Sequence, residues 1–353
     1  YNLLKREVSE LKKYLLPKSG SFYKANLHCH STLSDGKLTP EELKKIYKEK
    51  GYSVIAYTDH DVLVPHSELA DDMFLPLNGY EIEINEDLDT EYAYIKTCHL
   101  CLIAIKHDNF SQVCYHRTKY LFGNAVNYHG KVKFDNTLPD YERVYTADCI
   151  NDIIKKGREG GFFVTYNHPT WSTENYEYYS KYSGMNAMEI CNYGCVAEGY
   201  PEYNERVYDD MLKNGKRIFC IGADDNHNRA NSDSRRWDSF GAFTMIKADK
   251  LDYETITDAL VNGNFYASQG PEIYDLWYEN GKVGITCSEA DKIVYSTACR
   301  KIGTLYKEDA PDGNILTEAV FEVNPEDKFF RITVTDEKGN HANTNAYFTD
   351  ELF

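Results

Sequence analysis

Seven short apolar runs succeed one another along the chain, and most carry a histidine or a carboxylate within them or just past their end. They are 25–30 "ANLHCH", 53–58 "SVIAYT", 74–80 "FLPLNGY", 97–105 "TCHLCLIAI", 162–167 "FFVTYN", 186–191 "NAMEIC" and 217–222 "RIFCIG". Helical patterns lie between several of them. The clearest is 40–50, "PEELKKIYKEK", where Thr39 caps, Pro40 takes the first helical position, Glu42 completes a capping box and Gly51 ends the helix. Further helices are expected over 147–159, 201–214 and 253–262. Strand–helix alternation implies parallel pairing with right-handed crossovers. Seven such strands suit a closed barrel better than an open sheet.

After Gln269-Gly270-Pro271 the helical patterns stop. "EIYDLWYENGKVGITCS" holds an Asn-Gly turn at 280–281 between two strand-like runs, and a second hairpin is expected around Lys338-Gly339-Asn340. The reading is α/β: a main domain over 1–267, beginning with an amphipathic helix over 1–16 (Leu4, Val8, Leu11, Leu15), and a small antiparallel β-sandwich over 268–353.

On a strand, residues i and i+2 face one side, so His28 and His30 can reach one metal ion while Cys29 points away. Asp59, His60 and Asp61 follow the second strand, Glu81 the third and His168 the fifth. His99 lies in the fourth, and Asp225 and His227 repeat the i, i+2 spacing after the seventh. Asp35, on the turn into the capped helix, is a further ligand candidate. In a barrel, strand ends of this kind meet at one mouth.

The chain carries 39 basic and 56 acidic residues, net −17. Such a balance argues against long nucleic acid as a partner, but not against a small anionic substrate, because bound metals invert the local charge. No apolar run approaches the ~18 residues of a membrane span. The ten cysteines are scattered and read as buried reduced thiols of a cytoplasmic protein; Cys98 and Cys101 fit a strand as well as a metal. The chain starts at Tyr1 rather than Met, which reads as a trimmed N-terminus and leaves a removed signal peptide open.

In this order the motifs resemble those of the PHP (polymerase and histidinol phosphatase) superfamily of metal-dependent phosphoesterases, over about residues 20–270. "HCHSTLSDG" is similar to the family's first motif, giving His28, His30 and Asp35; "TDHD" gives His60, "GYEIE" Glu81, "CHL" His99 and "NHP" His168. The last motif, usually Gly-Ser-Asp-x-His, stands here as "GADDNH"; Asp225 keeps the spacing to His227 and is chosen over Asp224. The resemblance implies a distorted (β/α)7 barrel and nine ligands for two or three divalent ions (Mn, Zn or Fe). It further implies attack of metal-bound hydroxide on the phosphorus of a small phosphorylated metabolite or nucleotide. Asp225 then holds the nucleophilic water and accepts its proton. "NGNFYASQGPEI" resembles a branch related to carbaryl hydrolase, which keeps hydrolysis of a carboxyl or carbamoyl ester as an alternative. A non-catalytic binding protein is the third reading.

Asp59 and Asp61 are expected to orient His60 from behind. Arg229, Arg235 and Arg117 are candidate phosphate clamps, with Arg236 beside them. His66, His107, His116, His129 and His341 read as solvated or structural, and the tyrosine cluster at 175–182 as packing.

Overall fold

The structure is a computed structural model that describes residues 12–353 except Leu88 and Asp312. It divides into a unit spanning Gly20–Gly270 and a second formed by residues 12–19 with Pro271–Phe353.

The larger unit is a mixed α/β sheet with strands β1 Ser21–Asn26, β2 Tyr52–Tyr57, β3 Leu75–Asn85, β4 Thr97–Ala104, β5 Phe162–Tyr166, β6 Ala187–Asn192, β7 Phe219–Ala223, β8 Phe243–Ala248 and β9 Phe265–Ser268. Their order is β9-β8-β1-β2-β3-β4-β5-β6-β7. β1, β2 and β3 run parallel, as do β5, β6 and β7. The expected parallel pairing fails at β4, which is antiparallel to both neighbours. On the β3 side the reason lies in the link 86–96, whose described residues hold only a short 3-10 turn at Tyr92–Tyr94; a parallel crossover needs a dozen residues or more and usually a helix. β8 and β9 were not among the seven expected strands. They add an antiparallel pair beside β1, with Ser21 opposite Ala248 and Phe265 opposite Ile246. Among the described ladders none joins β7 to β8 or β9.

The helices follow the capping rules that the sequence displays. In α1 (Pro40–Glu49) the Thr39 hydroxyl accepts from the Glu42 amide, and the Glu42 carboxylate accepts from the Thr39 amide. α2 (Ala147–Glu159) starts at Thr146, whose hydroxyl accepts from Cys149 N–H. α3 (Tyr193–Glu198), α4 (Glu205–Lys213) and α5 (Tyr253–Val261) complete the larger helices. Ala25, Val54, Ala56, Leu77, Phe163, Ile221 and Ile246 bury one strand face against Ile256 and Leu260 of α5. β4 is buried along its whole length, as expected of a central strand covered on both faces.

Among the described residues of the second unit every ladder is antiparallel. One sheet joins the short strand Lys13–Tyr14 to β10 (Ile273–Glu279), β11 (Lys282–Ala290) and β14 (Leu316–Glu322). The other joins β13 (Ile302–Tyr306), β12 (Lys292–Thr297), β15 (Phe329–Thr335) and β16 (His341–Thr344). Asn280 and Gly281 both have positive φ, 48° and 72°, which gives the tight hairpin turn its Asn-Gly sequence announces. Of the helix expected over 1–16, residues 1–11 lie outside the described residues. Lys13 and Tyr14 are extended, paired with Tyr278 and Trp277, so residues 12–19 belong with this unit and not with the first domain. No helix among the described residues is long and apolar enough to cross a membrane.

Candidate metal centre

The loops beyond β1 and β7 are laced together, and that lacing assembles the first half of the site. Asn26, the last residue of β1, accepts from the amides of His28 (3.4 Å) and Asp224 (2.9 Å). His30 N–H donates to Asn226 O (3.1 Å) and Asp225 N–H to His28 O (2.9 Å). His28 and His30 therefore lie just past the strand rather than on it. Asp225 adopts φ 51°, and His168, beyond β5, φ 27°; non-glycine residues are held in this region only where their surroundings demand it. His60 bridges to Glu81 beside β2 and β3. Glu81 and His99 project from within β3 and β4.

The nine side chains predicted as ligands converge. Glu81 is central: its Oε1 lies 3.1 Å from His28 Nε2, 3.1 Å from His99 Nδ1 and 3.5 Å from His168 Nε2, and its Oε2 lies 3.2 Å from His60 Nδ1 and 3.4 Å from His30 Nε2. Asp225 Oδ1 is 3.2 Å from His28 Nε2 and 3.0 Å from His30 Nε2. Asp35 sits 3.8 Å from both His30 and His60 and 3.3 Å from His227. Donor atoms lie within 4.8 Å of one another in the groups His30–Asp35–His60–His227, His28–His30–Asp225, His60–Glu81–His99 and His28–His168–Glu189. These groups are the right size and chemistry to hold metal ions. His60 Nδ1, His99 Nδ1 and Asp225 Oδ1 are buried yet complete no hydrogen bond. Buried polar atoms left without a partner are costly unless something fills the space among them, and imidazole with carboxylate fits a divalent transition ion.

Electrostatics point the same way. Burial works against a charged His30, but Asp225 and Glu81 outweigh it and push the imidazole up to about 10. His168 rises to about 9 against its burial, under Glu81, Asp225 and Glu189. Burial and the neighbouring His30 lower His60 to about 3. Burial disfavours a charged Asp225 and a charged Asp35, yet the surrounding imidazoles hold both well below the usual carboxylate range. The pocket is a trap for positive charge.

Other expected residues fall elsewhere. Asp224, adjacent to Asp225, accepts from the amides of Phe240, Gly241 and Ala242 and from the Tyr47 hydroxyl (2.8–3.1 Å), so it anchors the loop after β7. Asp59 accepts from the amides and hydroxyls of Ser31 and Ser34 (2.7–3.1 Å); it braces the loop of His30, not His60. Asp61 is paired with buried Arg143. Arg117 binds Asp140 and two carbonyls away from the centre. Arg235 is exposed and absent from the cavity wall. Of the candidate arginines, Arg229 alone lines the cavity, donating to Asp35.

Glu189 was missed. It is fully buried in β6, accepts from His28 Nδ1 (2.7 Å) and from the His168 amide (2.9 Å), and receives Asn192 Nδ2 (2.9 Å). A lone carboxylate in the apolar run "AMEICN" was the signal. Asn192 also donates to Asp225 Oδ2 (3.1 Å), and Asn167 to Glu81 Oε1 (2.9 Å). The mouth is a cavity of about 300 Å³ edged by Tyr92, Trp171 and Phe122.

A family model for the PHP domain matches residues 26–220. No curated protein matches this chain. Among solved structures, it is similar to a two-domain protein from Bacteroides vulgatus containing a predicted PHP-like metal-dependent phosphoesterase (15% identity, 94% of this chain and 98% of that one, TM-score 0.45). It is also similar to a Bifidobacterium adolescentis protein assigned as a metal-dependent phosphoesterase (15%, 70% and 98%, 0.40) and to an amidohydrolase from Chromobacterium violaceum (17%, 57% and 87%, 0.33). The domain match spans more than half of the chain and takes in His28 through His168: this protein belongs to the PHP-domain family.

Proposed function

We propose that this chain is a metal-dependent phosphoesterase acting on small substrates, with Gly20–Gly270 as its catalytic domain. Two or three divalent ions (Mn, Zn or Fe) would be held by His28, His30, Asp35, His60, Glu81, His99, His168, Asp225 and His227. The observation that carries the reading is the convergence of these side chains, seven of them buried and Asp35 and His227 partly so, with unpartnered polar atoms on His60, His99 and Asp225, at and beneath one cavity. Bound divalent ions supply Lewis-acid polarisation of a phosphoryl oxygen and activate water near neutral pH.

The chain's own groups divide the remaining work. Asn192 fixes one oxygen of Asp225 and leaves the other without a hydrogen bond between His28 and His30, where it orients the attacking water and takes its proton. Glu189 holds His28 by Nδ1, so that Nε2 faces inward. Arg229 donates one N–H to Asp35 while its guanidinium stays half exposed at the mouth; its remaining donors suit a phosphoryl oxygen. A cavity of about 300 Å³ sits at the lower end of small-molecule sites, which favours small esters over polymers.

The test is a panel on Mn-loaded protein: p-nitrophenyl phosphate, bis-p-nitrophenyl phosphate and p-nitrophenyl acetate. Turnover of a phosphate ester that disappears on chelation and returns with metal is expected. Turnover of the acetate alone would move the assignment to carboxyl esters. A protein that takes up no metal and turns over none of the three would overturn the reading.

A further inference from the structure

Beside the metal centre lies a second cavity, of about 320 Å³, lined by Asp61, Glu83, Asn85, Lys119, Tyr120 and Phe122. Glu83 and Phe122 also line the metal cavity, so the two spaces share a wall. Phe122 packs edge-on against His60, ring centroids 5.2 Å apart, and Glu83 Oε2 lies 3.7 Å from His99 Nε2. Anything seated in the second cavity is one side chain away from the reacting centre.

The polar groups of this cavity are mostly acceptors. Asp61 is neutralised by Arg143, which is itself buried and also donates to Glu83 O. Lys119 is committed to Glu142. Asn85 donates its amide N–H to the Glu83 carboxylate, and this fixes the orientation of the carboxamide, since the flipped form would set oxygen against oxygen. Its Oδ1 is then left buried without a partner. A buried acceptor with no donor is costly, and beside it stands a carboxylate whose charge no cation in the cavity offsets. Tyr120 and Phe122 supply apolar walls.

We propose that this cavity is the leaving-group subsite. It takes the body of a phosphomonoester that is uncharged or cationic and rich in hydrogen-bond donors, such as a polyol or amino sugar, and it disfavours a second anionic group. Glu83, held by the Asn85 amide, accepts from hydroxyl or ammonium groups of that body while its phosphate sits at the metals. The inference rests on the phosphoesterase reading above.

Four hexose-sized monoesters test it on the Mn-loaded full chain, with p-nitrophenyl phosphate as reference: glucose 6-phosphate, glucosamine 6-phosphate, 6-phosphogluconate and cyclohexylmethyl phosphate. The two sugars should exceed cyclohexylmethyl phosphate in kcat/KM by at least ~10-fold, because a site with buried acceptors rejects an analogue lacking donors. 6-Phosphogluconate, with its extra carboxylate, should be the poorest. In Asn85→Ala and Glu83→Gln the sugar-to-cyclohexyl ratio should fall toward one, with metal content equal to wild type. A wild-type ratio near one, or preference for 6-phosphogluconate, overturns the subsite while phosphate release from p-nitrophenyl phosphate leaves the parent reading standing. Release from none of the five esters overturns both. A ratio that survives both substitutions in folded, metal-loaded protein also overturns it.

Discussion

Asp225 and Asp327 are both buried aspartates, one in each unit, and their surroundings differ in kind. Asp327 accepts from the Tyr295 hydroxyl (2.7 Å), Lys301 Nζ (2.8 Å) and the Asn324 amide (2.9 Å). Asp225 has one oxygen held by Asn192 and the other set among imidazoles with no hydrogen bond completed. A satisfied buried carboxylate ties strands and turns together. A buried carboxylate left open among other donors is a binding group waiting for a cation. Burial alone does not separate the two; the state of the lone pairs does.

The sharpest way to break this comparison is Asp225→Asn. It should cut kcat/KM by at least ~10³-fold, because it removes a cation ligand and the group that orients water, while thermal stability changes little. Metal content and turnover measured on the same sample decide it; near-normal activity at full loading would end the distinction. Asp327→Ala should do the opposite. Three donors lose their acceptor, and stability should drop by about 3 kcal/mol, read as a lower denaturant midpoint, with turnover per folded molecule unchanged. Glu189→Gln sharpens the boundary between the two kinds. It keeps the shape but weakens the hold on His28, so activity should fall ~10–100-fold, with metal affinity falling alongside. The smallest effect belongs to Thr39→Ala, which removes the α1 cap and should cost about 1 kcal/mol of stability with metal uptake intact.

The sequence made the convergence legible because imidazole and carboxylate at strand ends are conspicuous residue types in apolar surroundings. His28, His30, His60, Glu81, His99, His168, Asp225 and His227 could each be read from a short motif, and α1 from its cap. Direction was not legible. The run "TCHLCLIAI" is equally apolar whichever way β4 points, and only the shortness of the link 86–96 bears on it. β8 and β9 are short and lie among loops and the α5 pattern, so periodicity alone did not separate them. The arginines were the hardest. Arg117 and Arg143 stand in one stretch, 106–146, that has little regular structure. Which of them turns inward is decided by where Asp61 and Asp140 lie in space, which no local pattern encodes. Glu189 escaped for a related reason: one carboxylate in a strand becomes meaningful only once its partners, His28 and the His168 amide, are known.

The place of β1 has a consequence for the timing of folding. It is paired on one side with β2, close behind it in the chain, and on the other with β8, Ser21 facing Ala248 across 227 positions of sequence. Pairings this remote carry a large loop-closure cost before any contact repays it, and they slow folding. On a ribosome adding roughly 5–20 residues per second, the β8-facing edge of β1 waits on the order of 10–40 s for its neighbour. Lys13 and Tyr14 wait longer still, for Trp277 and Tyr278. During synthesis that edge of β1 and the strand Lys13–Tyr14 are therefore unpaired, and the burden of keeping them from wrong partners falls on whatever attends the nascent chain.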